Sequence, residues 1–346
     1  MGASDSIEHN AVSFALARRR SSMSNAVATD TFDPQAVAQL DVMWGNPDQW
    51  TATGLHWTHL PEVLRRISER VTGDPALTTW AWFFQHVGQH RPLPLGRVLV
   101  LGCGHGHLER AIARHGGLVD SLVAVDLSPQ ALAGARAQAE AEGLAIEYRQ
   151  ADMNQLPLGQ PGFEAGSFDA VLGVSGVHHC EALESLYDGV ATLLKPGGWF
   201  FLDEYVGPTR FQWTDGQLRL INELLDMLPP RLRMSRDGRL RAQQRRPTIE
   251  EMISGDASEA VRSAEIVPLL DRRFEVVSLR PYGGSILQVL LAEIAQHYLE
   301  PAERPYLDAL LAAEDELHRS GRLDDDFACV IARVPDAASA PSTAAR

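Results

Sequence analysis

Short apolar runs alternate with helical stretches through the middle of the chain. Runs at 98–101, 121–126, 146–149, 170–174 and 199–202 have the length and apolar density of strands buried on both faces. Between them, 108–115, 129–142 and 181–194 carry apolar residues at helical spacing, with Ser128 placed to cap the second and "KPGG" ending the third. This alternation predicts an α/β fold, a doubly wound and mostly parallel sheet with helices on both faces. Right-handed crossovers then bring the loops that follow the strands to one edge of the sheet, where ligands bind.

The flanks read differently. Residues 1–35 are small and polar without a sustained period, as expected of a flexible arm. Residues 36–92 form a helical lid segment, with one helix starting after Pro61 and another in "PALTTWAWFFQHVGQH". The core covers 93–206. The interval 207–268 is too long for a plain connection and reads as a helical cap insertion. Residues 269–334 return to the core with a strand ending at Leu279, a helix pair at 286–298 and 301–320, and a last strand at 327–334. A disordered tail is expected over 335–346, and no internal repeat is visible.

Candidate chemistry concentrates where the first strand turns into a helix. In "RVLVLGCGHGHLER", Gly102, Gly104 and Gly106 remove Cβ atoms and let something approach the backbone closely. A tightly packed turn, a dinucleotide loop and a loop for a sulfonium cofactor all fit that much. The GxGxG spacing, with His107 after Gly106, does not meet the GxGxxG of a dinucleotide fingerprint. Asp126, ending the second strand, can accept both hydroxyls of an adenosine ribose and so serves either cofactor. Asp152, just past the third strand, can accept the adenine exocyclic amine, and Met153 offers the ring an apolar face.

In order and at these intervals, "VLVLGCGHG", "VDLSP", "ADMNQLP", "FDAVLGVSGVHH" and "LKPGGWFFLDE" resemble the class I S-adenosylmethionine-dependent methyltransferases, in particular the bacterial small-molecule enzymes. The resemblance covers 97–206. It implies a seven-stranded sheet with the last strand inserted antiparallel, S-adenosylmethionine as cofactor with S-adenosylhomocysteine as product, and methyl transfer to a small or medium-sized organic acceptor. It implies that Gly102, Cys103, Gly104 and Gly106 line the methionine half of the cofactor, that Asp126 with Leu127 meets the ribose, and that Asp152, Met153 and Val174 complete the site. Trp57, from the lid, is the expected further cofactor contact, whereas burial is expected for its neighbours Trp44 and Trp50. Val100 departs from the pattern, because most members carry an acid there that helps hold the cofactor's ammonium. A non-methylating or purely cofactor-binding protein of the same fold and an NAD(P)-dependent oxidoreductase are the alternatives.

Methyl transfer from a sulfonium is an in-line displacement, so the protein has to align the nucleophile, exclude water and, where the nucleophile carries a proton, remove it. The loops after the fourth and fifth strands supply His178, His179 and Glu204 as candidate bases. Tyr205, Arg210, Trp213 and Tyr282 are expected acceptor contacts. The cap holds seven arginines between Arg231 and Arg246, and Arg241 and Arg245 are the expected contacts for an anionic acceptor. His105 and His107 have no convergent acid or cysteine near them in sequence, so no metal site is expected.

Composition narrows the partners. A formal net charge of −14 repels phosphate backbones and anionic lipid, which excludes nucleic acid and membrane surfaces as expected partners. The three cysteines, Cys103, Cys180 and Cys329, form no disulfide or zinc pattern. The N-terminal stretch lacks the apolar core of a signal peptide. A cytoplasmic monomer or homodimer acting on a small molecule, in secondary metabolism, is the resulting expectation.

Overall fold

Alternate residues of four of the apolar runs feed two different cores, while the run at 146–149 forms an edge strand with only Tyr148 buried. Val98, Val100, Leu122, Ala124, Ala170, Leu172 and Phe201 join one hydrophobic cluster. Leu99, Leu101, Val123, Val125, Val171, Phe200 and Leu202 join the other. A strand covered on both sides has no polar face to show, which is why these runs are continuously apolar.

The structure is a computed structural model describing residues 55–335 throughout, preceded by Phe32, Val37, Ala38, Asp41 and Val42. Trp44, Trp50, most of the expected arm and lid start, and the tail after Pro335 lie outside the described residues. In chain order the main elements are α1 (Pro61–Thr72), α2 (Thr79–Gly88), β1 (Leu95–Leu101), α3 (His107–His115), β2 (Val119–Asp126), α4 (Pro129–Ala141), β3 (Ile146–Gln150) and β4 (Phe168–Val174). They continue with α5 (Leu183–Leu193), β5 (Leu194–Tyr205), α6 (Asp215–Met227), α7 (Ile249–Gly255), α8 (Ile266–Leu270), β6 (Glu275–Gly283), α9 (Leu287–Leu291), α10 (Arg304–Arg319) and β7 (Phe327–Arg333). The seven strands form one sheet in the order β3-β2-β1-β4-β5-β7-β6. β1 to β5 run parallel, and β7 lies antiparallel between β5 and β6. Among the described residues no helix is long and apolar enough to cross a membrane.

Four boundaries depart from the sequence pattern. β5 begins at Leu194, and a register shift between Phe168 and Ala170 of β4 absorbs the KPGG turn inside the strand. β6 runs past Leu279 to Gly283 because it is the edge strand, where Pro281 needs no second partner for its missing N–H. The single helix expected over 286–298 ends at Leu291, and a 3-10 turn at Ala295–Leu299 follows after Glu293 takes a positive φ of 65°. Finally, the cap is helical only in part. The stretch from Met234 to Pro247 is not helical, with a bridge between Met234 and Leu240 around a turn at Gly238 (φ +80°).

Arginines fasten that non-helical strap and the 3-10 turn at Pro230–Arg233 before it. Arg231 pairs with Glu303, Arg233 with Asp226, Arg239 with Asp237, Arg245 with Glu251 and Arg246 with Asp215. Arg241 donates to the carbonyls of Val289 (2.6 Å), Leu290 (2.5 Å) and Ala292 (2.7 Å), capping the C-terminal end of α9. Each pair ties the strap to a neighbouring element or to itself.

Candidate active site

The strand order reverses between β1 and β4, and the crevice at their C-terminal ends is where an open α/β sheet binds ligands. The two loops leaving that edge touch: a Cβ on Gly102 would lie 3.4 Å from the Cα of Gly176 and 3.4 Å from Cε of Met153. Gly102, Gly104 and Gly106 all take positive φ (58°, 52° and 77°), which L side chains adopt only at a cost. Gly104 faces open space, with nothing within 4 Å of an added Cβ. Gly106 faces inward instead, where a Cβ would meet Tyr148 Oη at 2.7 Å, Arg110 Nη1 at 2.8 Å and Glu109 Oε1 at 2.8 Å. Glu109 is fully buried beneath the loop, and that burial lifts its carboxyl to about 7. Gly106→Ala therefore forces both a disfavoured backbone and an overlap with three polar side chains. We expect it to lower stability by at least about 1–2 kcal/mol from the backbone alone and to weaken cofactor binding. An unchanged melting temperature would refute this.

Asp126 closes the loop from below. Its Oδ2 accepts the N–H of Gly104 at 2.8 Å and its Oδ1 that of Ser128 at 2.9 Å. Burial raises its pKa in spite of these donors. Ser128 caps α4 by accepting from Ala131 N, and Leu127 accepts from Gln150 Nε2. Asp152 is half-buried and accepts both N–H and side-chain donors of Asn154, whose own Oδ1 accepts the N–H groups of Glu181 and Ala182. Met153 and Val174 are half-buried beside them. The Cys103 thiol stays protonated, because burial, Glu109 and Asp126 raise its pKa well above the usual value. Val100 is buried within β1 and presents no carboxylate.

A second cluster sits on the loop after β4. Glu204, buried near the end of β5, accepts the N–H groups of Gly176 and Val177 at 2.8 Å each through Oε1. Its Oε2 lies 2.7 Å from His178 Nδ1. The His179 ring lies tilted against that of His178, with centroids 4.3 Å apart, and its Nδ1 lies 3.0 Å from Ser258 Oγ, which in turn donates to Asp256 Oδ1 at 2.6 Å. Glu259 approaches both rings, 3.7 Å from His178 Nε2 and 3.9 Å from His179 Nε2. Burial pulls the His178 pKa down, but the bond and charge of Glu204, with Glu259 and Asp256, outweigh it and leave it raised. Burial beside His178 holds His179 well below the usual value. Burial raises the Glu259 carboxyl against the pull of His178, and the Asp256 and Glu204 charges add to it.

The cap loop that brings Glu259 is anchored on this cluster. Val261 N–H donates to the His178 carbonyl, and Arg210, at a positive φ of 51°, donates through Nη1 to the Ala257 carbonyl. Asp256, Ser258 and Glu259 were not among the residues expected from sequence. The run "SGDASEAV" carries only small and acidic residues after a helix, and nothing in it marks a partnership with histidines about eighty residues earlier.

Several expected acceptor contacts are occupied otherwise. Tyr205 is buried, with its hydroxyl donating to the Pro208 carbonyl. Trp213 is buried and stacked on Phe211 at 5.2 Å. Tyr282 is buried and donates to Asp203, which also accepts from Thr79. Trp57 is buried against Phe327, with ring centroids 5.3 Å apart. Arg241 and Arg245 do not form an anion clamp: one is spent on helix-end carbonyls and the other on both oxygens of Glu251.

Comparison with known proteins bears on the crevice and its surrounding core. A family model described as a methyltransferase domain matches residues 98–198. The ubiquinone biosynthesis O-methyltransferase of Xanthomonas campestris pv. campestris is 37% identical over 117 residues, covering 34% of this chain and 46% of its own. The Agrobacterium fabrum protein of the same name is 35% identical over 179 residues, covering 50% of this chain and 64% of its own. The chain thus spans about half the length of the curated relatives it matches. Among solved structures, phosphoethanolamine N-methyltransferase 2 of Haemonchus contortus, in complex with S-adenosyl-L-methionine, aligns with a TM-score of 0.44 at 18% identity, covering 87% of this chain and 60% of its own.

Proposed function

The core of this chain is that of a class I S-adenosylmethionine-dependent methyltransferase, and on that premise we propose that the protein transfers a methyl group from S-adenosylmethionine to a hydroxyl oxygen of a small organic acceptor. The observation that carries the reading is the His178–Glu204 pair, bonded at 2.7 Å on the loop that touches the glycine loop. Oxygen as the methylated atom is drawn from the relatives, which are named as O-methyltransferases.

The residues present fit the cofactor, since Gly104 opens on free space and Asp126 stands fixed beneath it. When bound, the cofactor supplies a sulfonium methyl open to in-line displacement. Gly102, Cys103, Gly104 and Gly106 line its methionine half, Asp126 with Leu127 holds the ribose, and Asp152 with Met153 and Val174 holds the adenine. Val100 leaves the ammonium to the backbone carbonyls of the loop. A hydroxyl is a weak nucleophile until its proton leaves, and the imidazoles of His178 and His179 with the Glu259 carboxylate are the acceptors grouped there to take it. The cap loop over 256–261 covers the cluster and keeps water away from the developing alkoxide.

Incubated with S-adenosylmethionine and a panel of phenols and alcohols, the full chain is expected to release S-adenosylhomocysteine and yield an acceptor heavier by one methyl group in mass spectrometry. Calorimetric binding of NADH without either sulfur compound would overturn the reading. Cofactor binding with no transfer across the panel would move it to a non-methylating use of the same fold.

A further inference from the structure

We propose that Asp203 is the counter-charge for the ammonium of the bound cofactor, in place of the acid that Val100 does not provide. Backbone carbonyls of the glycine loop can accept the ammonium's N–H groups, but they carry no full charge, and Val100 presents none. The sheet register shows where one stands. Val100 pairs with Leu172 and Leu172 with Phe201, and two residues further along β4 and β5 Val174 pairs with Asp203. Side chains two apart on a strand share a face. Asp203 therefore lies on the Val100 face of the sheet, one step nearer the edge where the glycine loop begins.

The other acids along this edge are committed elsewhere. Glu109 is fully buried beneath the loop, and Glu204 is buried with its oxygens on Gly176, Val177 and His178. Asp126 and Asp152 stand at the ends of β2 and β3, on the adenosine side, and Asp326 is buried against Gln217. Asp256 and Glu259 face the two histidines. Asp203 is half-buried and keeps part of its surface accessible.

Its partners are neutral. Thr79 Oγ1, at the start of α2, donates to Oδ2 at 2.7 Å, and Tyr282 Oη, near the end of β6, donates to Oδ1 at 2.8 Å. An ionised carboxylate has about four acceptor positions, so these two hydroxyls fix its orientation and leave room for a further donor. Burial raises its pKa, opposed by the Thr79, Tyr282 and Cys329 bonds and aided by the Glu204 charge, and no cation among the described residues offsets it. A desolvated carboxylate steered by two hydroxyls and lacking a counter-ion is a site for a cation that carries N–H donors. The amino-acid end of S-adenosylmethionine supplies such a group. This role needs the cofactor but is independent of which acceptor atom is methylated.

Calorimetry on the full chain tests it with S-adenosylhomocysteine, which carries the same ammonium and does not turn over, and with an analogue lacking only the α-amino group. The wild-type chain is expected to bind S-adenosylhomocysteine at least about tenfold more tightly than the analogue, the worth of one charge-assisted bond. Asp203→Asn, whose amide can still meet Thr79 and Tyr282, should bring the two compounds within about threefold of each other, chiefly by weakening S-adenosylhomocysteine. Circular dichroism checks each fold, and Asp203→Ser carries the test if Asp203→Asn misfolds. A preference for S-adenosylhomocysteine that survives in these variants, an equal loss for both compounds, or a wild-type chain that binds both alike would overturn the proposal. A wild-type chain that binds neither compound would overturn the cofactor assignment with it. The expected loss in Asp203→Asn without any methyl transfer by the wild type would uphold this role and count against the functional reading alone.

Discussion

Replacing Glu204 by glutamine is expected to lower the rate of methyl transfer by about 10²- to 10⁴-fold while leaving S-adenosylmethionine affinity nearly unchanged. The amide can keep its carbonyl on the Gly176 and Val177 N–H groups, so the loop after β4 stays in place. Its NH₂ then faces His178 Nδ1 where a carboxylate oxygen stood at 2.7 Å. Two donors cannot share that position, so the ring shifts its proton to Nε2 and loses the lone pair on the side that faces Glu259. The damage falls on the turnover number, because no cofactor contact has moved. His178→Ala should be about as slow as Glu204→Gln, and the double variant little slower, since the two act as one unit. Initial rates of S-adenosylhomocysteine formation, with calorimetry for cofactor affinity, decide it. A Glu204→Gln enzyme within a factor of about three of wild type in rate would remove the pair from the mechanism.

How much of this site the chain announces depends on how local each part is. The glycine loop, Asp126 and Asp152 each lie at or just past the C-terminal end of a strand, and the inner strands declare themselves because both faces are buried. His178, on the loop leaving β4, and Glu204, near the C-terminal end of β5, are legible for the same reason. Glu259, Ser258 and Asp256 are not, because only the folding of the cap brings them to the histidines. The arginine run misleads in the opposite direction. A cluster of guanidiniums in sequence reads as a site for anions, yet a strap without a helix of its own needs partners for its backbone and its neighbours' ends. Arg241 serves three carbonyls of that kind, a role invisible until α9 is known to stop at Leu291. Pro281 similarly suggests the end of a strand, and only the place of β6 at the sheet edge makes it tolerable.

Asp326 provides the largest expected effect on stability. It lies just before β7, 4% exposed, with its carbonyl accepting from Val206 and Gly207 and its Oδ2 accepting from Gln217 Nε2 at 2.9 Å. Burial lifts its carboxyl from 3.8 to about 7, opposed by the Gln217 bond and aided by the charges of Glu314, Asp325 and Asp324. Between those two values the native chain holds a proton that the unfolded chain has released. Stability from this group therefore falls as pH rises from about 4 to about 7, and the full penalty, on the order of 4 kcal/mol, applies above that. Asp326→Asn removes the charge and keeps an acceptor for Gln217. Its effect on stability should be about 2–3 kcal/mol more favourable at pH 8 than at pH 5, where only part of the penalty has built up, and the gain at pH 8 stays below the full penalty because the amide must still be desolvated. Glu109, also lifted to about 7, bends the wild-type curve over the same range, so the informative quantity is the difference between variant and wild type at each pH. Thermal melts at both values measure it, and an equal gain at pH 5 and pH 8 would mean that Asp326 is not buried as a neutral acid.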